Sequence, residues 1–138
     1  KIVRDLVKTL NRTEAGERLQ WSVRLDGDPE LPIDPNDLRE MLGNLIENAS
    51  KWALSQISIV SETMPDRWTI RIADDGPGVP DDDLARLTER GVRLDHRKPG
   101  SGLGLSIVRE ISDVYGLDLT LENRTEGGFE AKVSVPLR

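Results

Sequence analysis

Three groups of residues carry the chemistry this chain could do. The first is Asn44, Asn48 and Lys51, spaced i, i+4 and i+7, so that a helix would hold them on one face, with Trp52 directly after. An amide oxygen is a hard, neutral ligand suited to magnesium, and a lysine is a point charge for phosphate. The second is Asp74-Asp75-Gly76-Pro77-Gly78, and the third is Gly100-Ser101-Gly102-Leu103-Gly104-Leu105. Taken singly, these also read as a solvated helix face, a turn after a strand and a surface loop. In this order and together, they describe a pocket for a nucleotide with its magnesium.

Each group has a physical reason to be there. Asp74 continues the phase of Trp68, Ile70 and Ile72. If that phase faces inward, Asp74 is a buried carboxylate that needs a donor, and the amino group of adenine is a suitable one. Gly76 and Gly78 would let backbone approach a flat base without a Cβ in the way. Gly100, Gly102 and Gly104 precede or open a helix, where free amides bind phosphate oxygens. Before them, Arg90, Arg93, Arg97 and Lys98 form a local basic patch on an acidic chain.

Other phosphate and metal motifs are not met. There is no G-x-x-x-x-G-K-[ST] run, and Leu105 stands where a G-x-G-x-x-G fingerprint needs its third glycine. The single histidine, His96, reads as a surface residue and cannot support a zinc site. Trp21 and Trp68 read as core residues of strands. Trp52 reads equally as a wall of the nucleotide pocket or as packing beneath a loop.

The elements that must position these groups are legible from periodicity. Ile2, Val3, Leu6, Val7 and Leu10 predict an amphipathic helix over 1–11. Leu19, Trp21, Val23 and Leu25 alternate as in a half-buried strand. Asp34-Pro35 is an N-cap followed by proline, and a long helix runs from it to about Ala53 with a stripe of Leu38, Met41, Leu42, Leu45, Ile46 and Ala49. Strands follow near 55–61 and 67–74, with a turn at Pro65-Asp66. A short helix is predicted over 82–90 and a loop over 91–101. A further helix runs from Leu103 to Tyr115, with Ile107, Val108, Ile111, Val114 and Tyr115 on one face. Two final strands carry Leu117, Leu119, Leu121 and then Phe129, Ala131, Val133, Val135, joined at Glu126-Gly127-Gly128. The expected fold is α+β: a two-layer sandwich of a mixed five-stranded sheet with about three helices on one face.

The chain has 138 residues and a net charge of -6, which argues against nucleic acid and against contact with an anionic membrane surface. Without cysteine there is no disulfide or thiolate chemistry. No apolar run approaches the ~20 residues of a membrane span. Lys1 falls inside a predicted helix, so the chain is expected to be a domain of a longer protein. Residues 1–12 would be the end of a helical domain or a connector, and 13–138 the nucleotide-binding domain.

The three motifs resemble those of the catalytic and ATP-binding domain of bacterial sensor histidine kinases, within the GHKL group shared with gyrase, Hsp90 and MutL. Asn44–Trp52 is similar to the N box, Asp74–Gly78 to the G1 box, Gly100–Gly104 to the G2 box and Gly127-Gly128 to the final glycine pair. The segment Glu89–Asp95 with Lys98-Pro99-Gly100 is similar to the lid of PhoQ-type sensor kinases. The resemblance covers roughly residues 19–138. It implies a Bergerat-type fold that binds ATP and Mg2+. Asp74 would hold the adenine amino group. Asn48, with Asn44, would ligate magnesium. Lys51, Arg93 and Lys98 would contact phosphate, and Gly102, Leu103 and Gly104 would begin the helix beneath it. Residues 87–101 would be the lid.

The resemblance also has departures. Trp52 stands where the family has tyrosine, and Leu87-Thr88-Glu89-Arg90 replaces a phenylalanine-rich box. Asn44 stands where the gyrase and Hsp90 branch has a glutamate that activates water, and an amide is no base near neutral pH. The resemblance therefore implies a phosphoryl donor whose acceptor histidine lies on a separate dimerisation domain, with a response regulator downstream. The domain would be cytoplasmic, in a parent that an inner-membrane anchor could hold. The alternatives are a GHKL-type ATPase and a non-enzymatic nucleotide-binding module.

Overall fold

In the computed structural model, residues 2–12, 18–80 and 104–137 are described. The elements run α1 (Ile2–Asn11), β1 (Gln20–Arg24), α2 (Pro35–Trp52), β2 (Gln56–Thr63), β3 (Arg67–Asp74), α3 (Gly104–Tyr115), β4 (Asp118–Asn123) and β5 (Phe129–Pro136). The short helix expected over 82–90 and the loop over 91–101 lie outside the described residues.

The five strands form one sheet in the order β1-β2-β3-β5-β4. β1 pairs with β2 in parallel and the other neighbours are antiparallel, so the sheet is mixed. β3 is central and its helix-facing residues are Trp68, Ile70, Ile72 and Asp74, all buried. Ile59 of β2 pairs with Ile72, and Val133 of β5 with Ile70, so β-branched side chains meet across three strands on one face. The opposite face is polar. There Arg71 bridges Glu62 at 3.2 Å and Glu130 at 3.4 Å, and the hydroxyls of Thr69 and Ser134 lie 3.1 Å apart. One apolar and one polar face make this a two-layer sandwich, with α1, α2 and α3 over the apolar side.

α2 is the layer's main beam. Asp34 caps it, accepting the N–H of Asn36 at 2.8 Å, and Pro35 sits at its first position. Leu38, Met41, Leu42, Leu45, Ile46 and Ala49 are buried along one stripe. The helix ends at Trp52, where Ala53 turns to an extended conformation. The Arg18 guanidinium closes that end, donating to the carbonyls of Ala53 and Leu54 at 3.0 Å each. α1 packs along another flank of α2, where Leu6 faces Gly43. Met41, Ile46, Ile59 and Ile70 are fully buried, and truncating any one of them costs about 2–5 kcal/mol by loss of contacts and the cavity left.

Two expectations shift in detail. β2 extends to Thr63, beyond the predicted 61, because its antiparallel ladder with β3 continues to Thr63 opposite Trp68. Val114 is not on the inner face of α3; it is 79% exposed, while Val108, Ile111 and Ser112 are buried. Around the helix Val114 lies about 60° beyond Ile111, about 100° from Tyr115 and about 120° from Val108, so the pattern admitted it only on a stripe that was too wide.

Candidate nucleotide site

α2 places Asn44, Asn48 and Lys51 along one edge of its buried stripe, all partly buried. This edge is distinct from the flank that carries α1. The Asn44 amide nitrogen donates to the Glu40 carbonyl one turn back, at 2.9 Å. That bond uses the nitrogen as a donor, so the oxygen is the amide's acceptor atom. Lys51 pairs with Glu47 at 3.1 Å, in the favourable i, i+4 order.

β3 delivers Asp74 at its end, 2% exposed. Its Oδ1 accepts the Gly76 N–H at 2.8 Å. Burial pushes the Asp74 carboxyl above the ordinary carboxylate range; the amides of Gly76 and Phe129 oppose this without cancelling it, and neighbouring Asp75 adds to it. No cationic side chain bonds this carboxylate among the described residues. Arg124 instead donates to the Asp74 main-chain carbonyl at 3.0 Å.

Asp75 has the opposite environment. Burial alone would raise its carboxyl, but donors outweigh it and hold the group well below the usual carboxylate range. The donors are the Ser55 hydroxyl at 2.6 Å and the N–H groups of Ser55, Gln56 and Leu54 at 2.9 to 3.2 Å. Asp75 thus fastens the turn between α2 and β2 to the end of β3, beside the Arg18 contacts on the same turn.

The glycines have reasons internal to the protein. A Cβ at Gly76 would stand 2.3 Å from the Trp52 carbonyl oxygen. Gly78 has φ +76°, which a side chain disfavours. From the other side, the β4–β5 hairpin closes on this loop. The Asn123 amide accepts the Val79 N–H at 2.8 Å and donates to the Val79 carbonyl at 2.6 Å. Neither Arg18, Asn123 nor Arg124 was singled out from the sequence. Each bonds main-chain groups more than thirty residues away, and no local spacing signals such a partner.

The structure sets the Trp52 end of α2, the helix that also carries Asn44, Asn48 and Lys51, against the loop that leaves β3 at Asp74 and carries Gly76 and Gly78, with the Trp52 carbonyl beside Gly76. Gly104 opens α3, which packs against α2. Arg93, Lys98, Gly100, Gly102, Leu103, His96 and the expected lid at 87–101 lie outside the described residues.

An α+β sandwich with a buried strand-end aspartate, a glycine loop and an asparagine-bearing helix is the build of an ATP-binding domain. Residues 33–138 match the family described as histidine kinase-, DNA gyrase B-, and HSP90-like ATPase, and the chain belongs to that family. It is a domain of the kind carried by sensor histidine kinases. The sensor protein kinase CarS of Pseudomonas aeruginosa is 41% identical over 123 residues, which cover 89% of this chain and 28% of that protein. The virulence sensor histidine kinase PhoQ of Salmonella typhimurium is 31% identical over 131 residues, covering 94% of this chain and 26% of PhoQ. The chain thus spans about a quarter of the length of these relatives. Among solved structures, full-length ShkA in complex with AMPPNP superposes with a TM-score of 0.84 at 27% identity, over 98% of this chain and 29% of that one. The catalytic domain of the histidine kinase ThkA shares the fold, with a TM-score of 0.85 at 24% identity, over 98% of this chain and 90% of that domain.

Proposed function

We propose that this chain binds Mg-ATP and donates the γ-phosphoryl to a histidine on a separate helical dimerisation domain of its parent, for relay to a response regulator in two-component signalling. The observation that carries the reading is Asp74. A carboxylate this buried, raised by desolvation and met among the described residues by only main-chain N–H groups, is a destabilised acceptor awaiting a donor. The adenine amino group is that donor. Gly76 and Gly78 form the loop against the base, and Trp52 walls it.

The phosphate end lies along α2 and the start of α3. Asn44 and Asn48 supply neutral oxygens a turn apart, the donor type magnesium takes, and magnesium there neutralises phosphate charge. Among the described residues no cluster of three or more His, Cys, Asp or Glu exists to hold a metal. Lys51, Arg93 and Lys98 contact phosphate, and Gly100, Gly102, Leu103 and Gly104 present amides to it. Residues 87–101 act as the lid.

In the transfer, a histidine ring nitrogen forms the new bond to the γ-phosphorus, the bond to the bridging oxygen breaks, and ADP leaves. This chain contributes position and charge stabilisation to that step. Residues 1–12 are the end of the dimerisation domain or its connector. The domain works on the cytoplasmic side, in a parent that the inner membrane can anchor.

Calorimetry of ATP binding with magnesium tests the pocket: Asp74→Asn and Asn48→Ala both bind much more weakly. Unchanged affinity in both would displace the site. Incubating the chain with its parent's helical domain and labelled ATP then yields phosphohistidine; ATP binding without it would favour a non-enzymatic module. A GHKL-type ATPase is disfavoured by Asn44, whose amide is already committed to Glu40 and cannot serve as a base.

A further inference from the structure

We propose that Asn123 is a positioning residue of the nucleotide site, and that its carboxamide sets the loop that follows Asp74. Asn123 occupies the last rung of β4, opposite Phe129. Its Oδ1 accepts the Val79 N–H at 2.8 Å and its Nδ2 donates to the Val79 carbonyl at 2.6 Å. A carboxamide is a peptide group on a side chain, so this pair of bonds is a rung of sheet added beyond the end of β4. The pairing also fixes the amide's orientation, since a flipped amide would set N–H against N–H and oxygen against oxygen.

The fit behind the loop is close. A Cβ at Gly78 would lie 2.8 Å from Asn123 Oδ1 and 3.3 Å from the Gly128 carbonyl oxygen. The same hairpin reaches Asp74 itself, through the Phe129 N–H on its carboxylate and the Arg124 guanidinium on its carbonyl at 3.0 Å. The segment from Asp74 to Val79 is thus held at both ends by β4–β5, and Asn123 holds the end remote from the sheet.

Few side chains can do this. Alanine makes neither bond. An ionised aspartate accepts the N–H but has no donor, and sets a charge against the Val79 carbonyl. Given the Asp74 pocket proposed above, loss of the clamp loosens the adenine end and leaves the phosphate end untouched.

The test is binding of ATP and of ADP, with magnesium, to wild type, Asn123→Ala, Asn123→Asp and Asp74→Asn, each held well below its own melting temperature. Asn123→Ala should weaken ATP and ADP by the same factor, roughly five- to thirty-fold for two hydrogen bonds. Asn123→Asp should be at least as weak. In phosphotransfer to the parent's helical domain, KM for ATP rises in step while the rate at saturating ATP is kept. Unchanged affinity in folded Asn123→Ala, a loss confined to ATP, or full affinity in Asn123→Asp would overturn the proposal. If Asp74→Asn loses binding while the Asn123 variants keep it, only the role of Asn123 falls. Retained binding in Asp74→Asn removes the pocket reading itself.

Discussion

Gly128 lies so close to Asp74 that a Cβ built on it would fall 1.9 Å from the Asp74 carbonyl oxygen. Its neighbour Gly127 has the same left-handed backbone, at φ +103° against +102°, but open space where its Cβ would be. The glycine pair therefore contains two different requirements. Gly127 answers only to the turn, and Gly128 answers to the turn and to the end of β3.

Gly127→Ala should cost about 1–2 kcal/mol of stability, the penalty of a strained φ alone. Gly128→Ala should cost more than about 3 kcal/mol and impair nucleotide binding, because the main chain at Asp74 must move. Urea unfolding of the two variants in parallel separates the effects.

Asp74→Asn should leave the nucleotide-free domain at least as stable as wild type near neutral pH while weakening ATP binding by about 10- to 100-fold, as for a hydrogen bond to a charged group. The carboxyl is raised in the folded state, from 3.8, by desolvation first. Its contribution to stability is fully present below the unfolded value and lost as pH rises through the folded one. The melting-temperature gap between variant and wild type is therefore widest at neutral pH and closes below about pH 3.8.

Asp75 gives the opposite dependence. Its carboxyl is held low by hydrogen bonds that outweigh burial, so its contribution is present above 3.8 and is lost only as pH falls well below that. Asp75→Ala removes the acceptor for Ser55, Gln56 and Leu54 and should cost on the order of 2 kcal/mol at pH 7. Unfolding measured at pH 7 and again at pH 4 to 5 should show the same penalty at both.

Asn48→Ala should weaken ATP in the presence of magnesium far more than in its absence. Chelation with EDTA should bring wild type down toward the variant. Equal losses with and without magnesium would move the metal to other residues. In the same preparations ATP turnover should stay well below about 1 per second, at the low end of enzyme rates, for want of a base at Asn44.

Periodicity by itself determines most of the architecture. The Asp34-Pro35 cap, the α2 stripe and the alternation in β3 and β5 are local patterns. Burial acts on them locally, since one apolar face must find cover whatever covers it. The same reasoning placed Asp74 on the inner face by phase with Ile70 and Ile72, and the structure keeps it there. Where local pattern ran short it erred by width, as at Val114, whose position on α3 is decided by which flank meets α2.

Tertiary structure alone decided what holds the site still. The sequence supplied the glycines at 76 and 78 and suggested a base as their reason; the fold adds the Trp52 carbonyl and the Asn123 amide pressed against them. It turned the twin aspartates into opposites, one raised by a burial that its main-chain donors do not offset and one held low by donors that outweigh burial. It also recruited Arg18, Asn123 and Arg124, whose partners distant in sequence are main-chain atoms. Every residue offers the same N–H and C=O, so nothing in the order of side chains says which pair will meet. Only the sheet order β1-β2-β3-β5-β4, which brings the β4–β5 hairpin beside the end of β3, makes that choice.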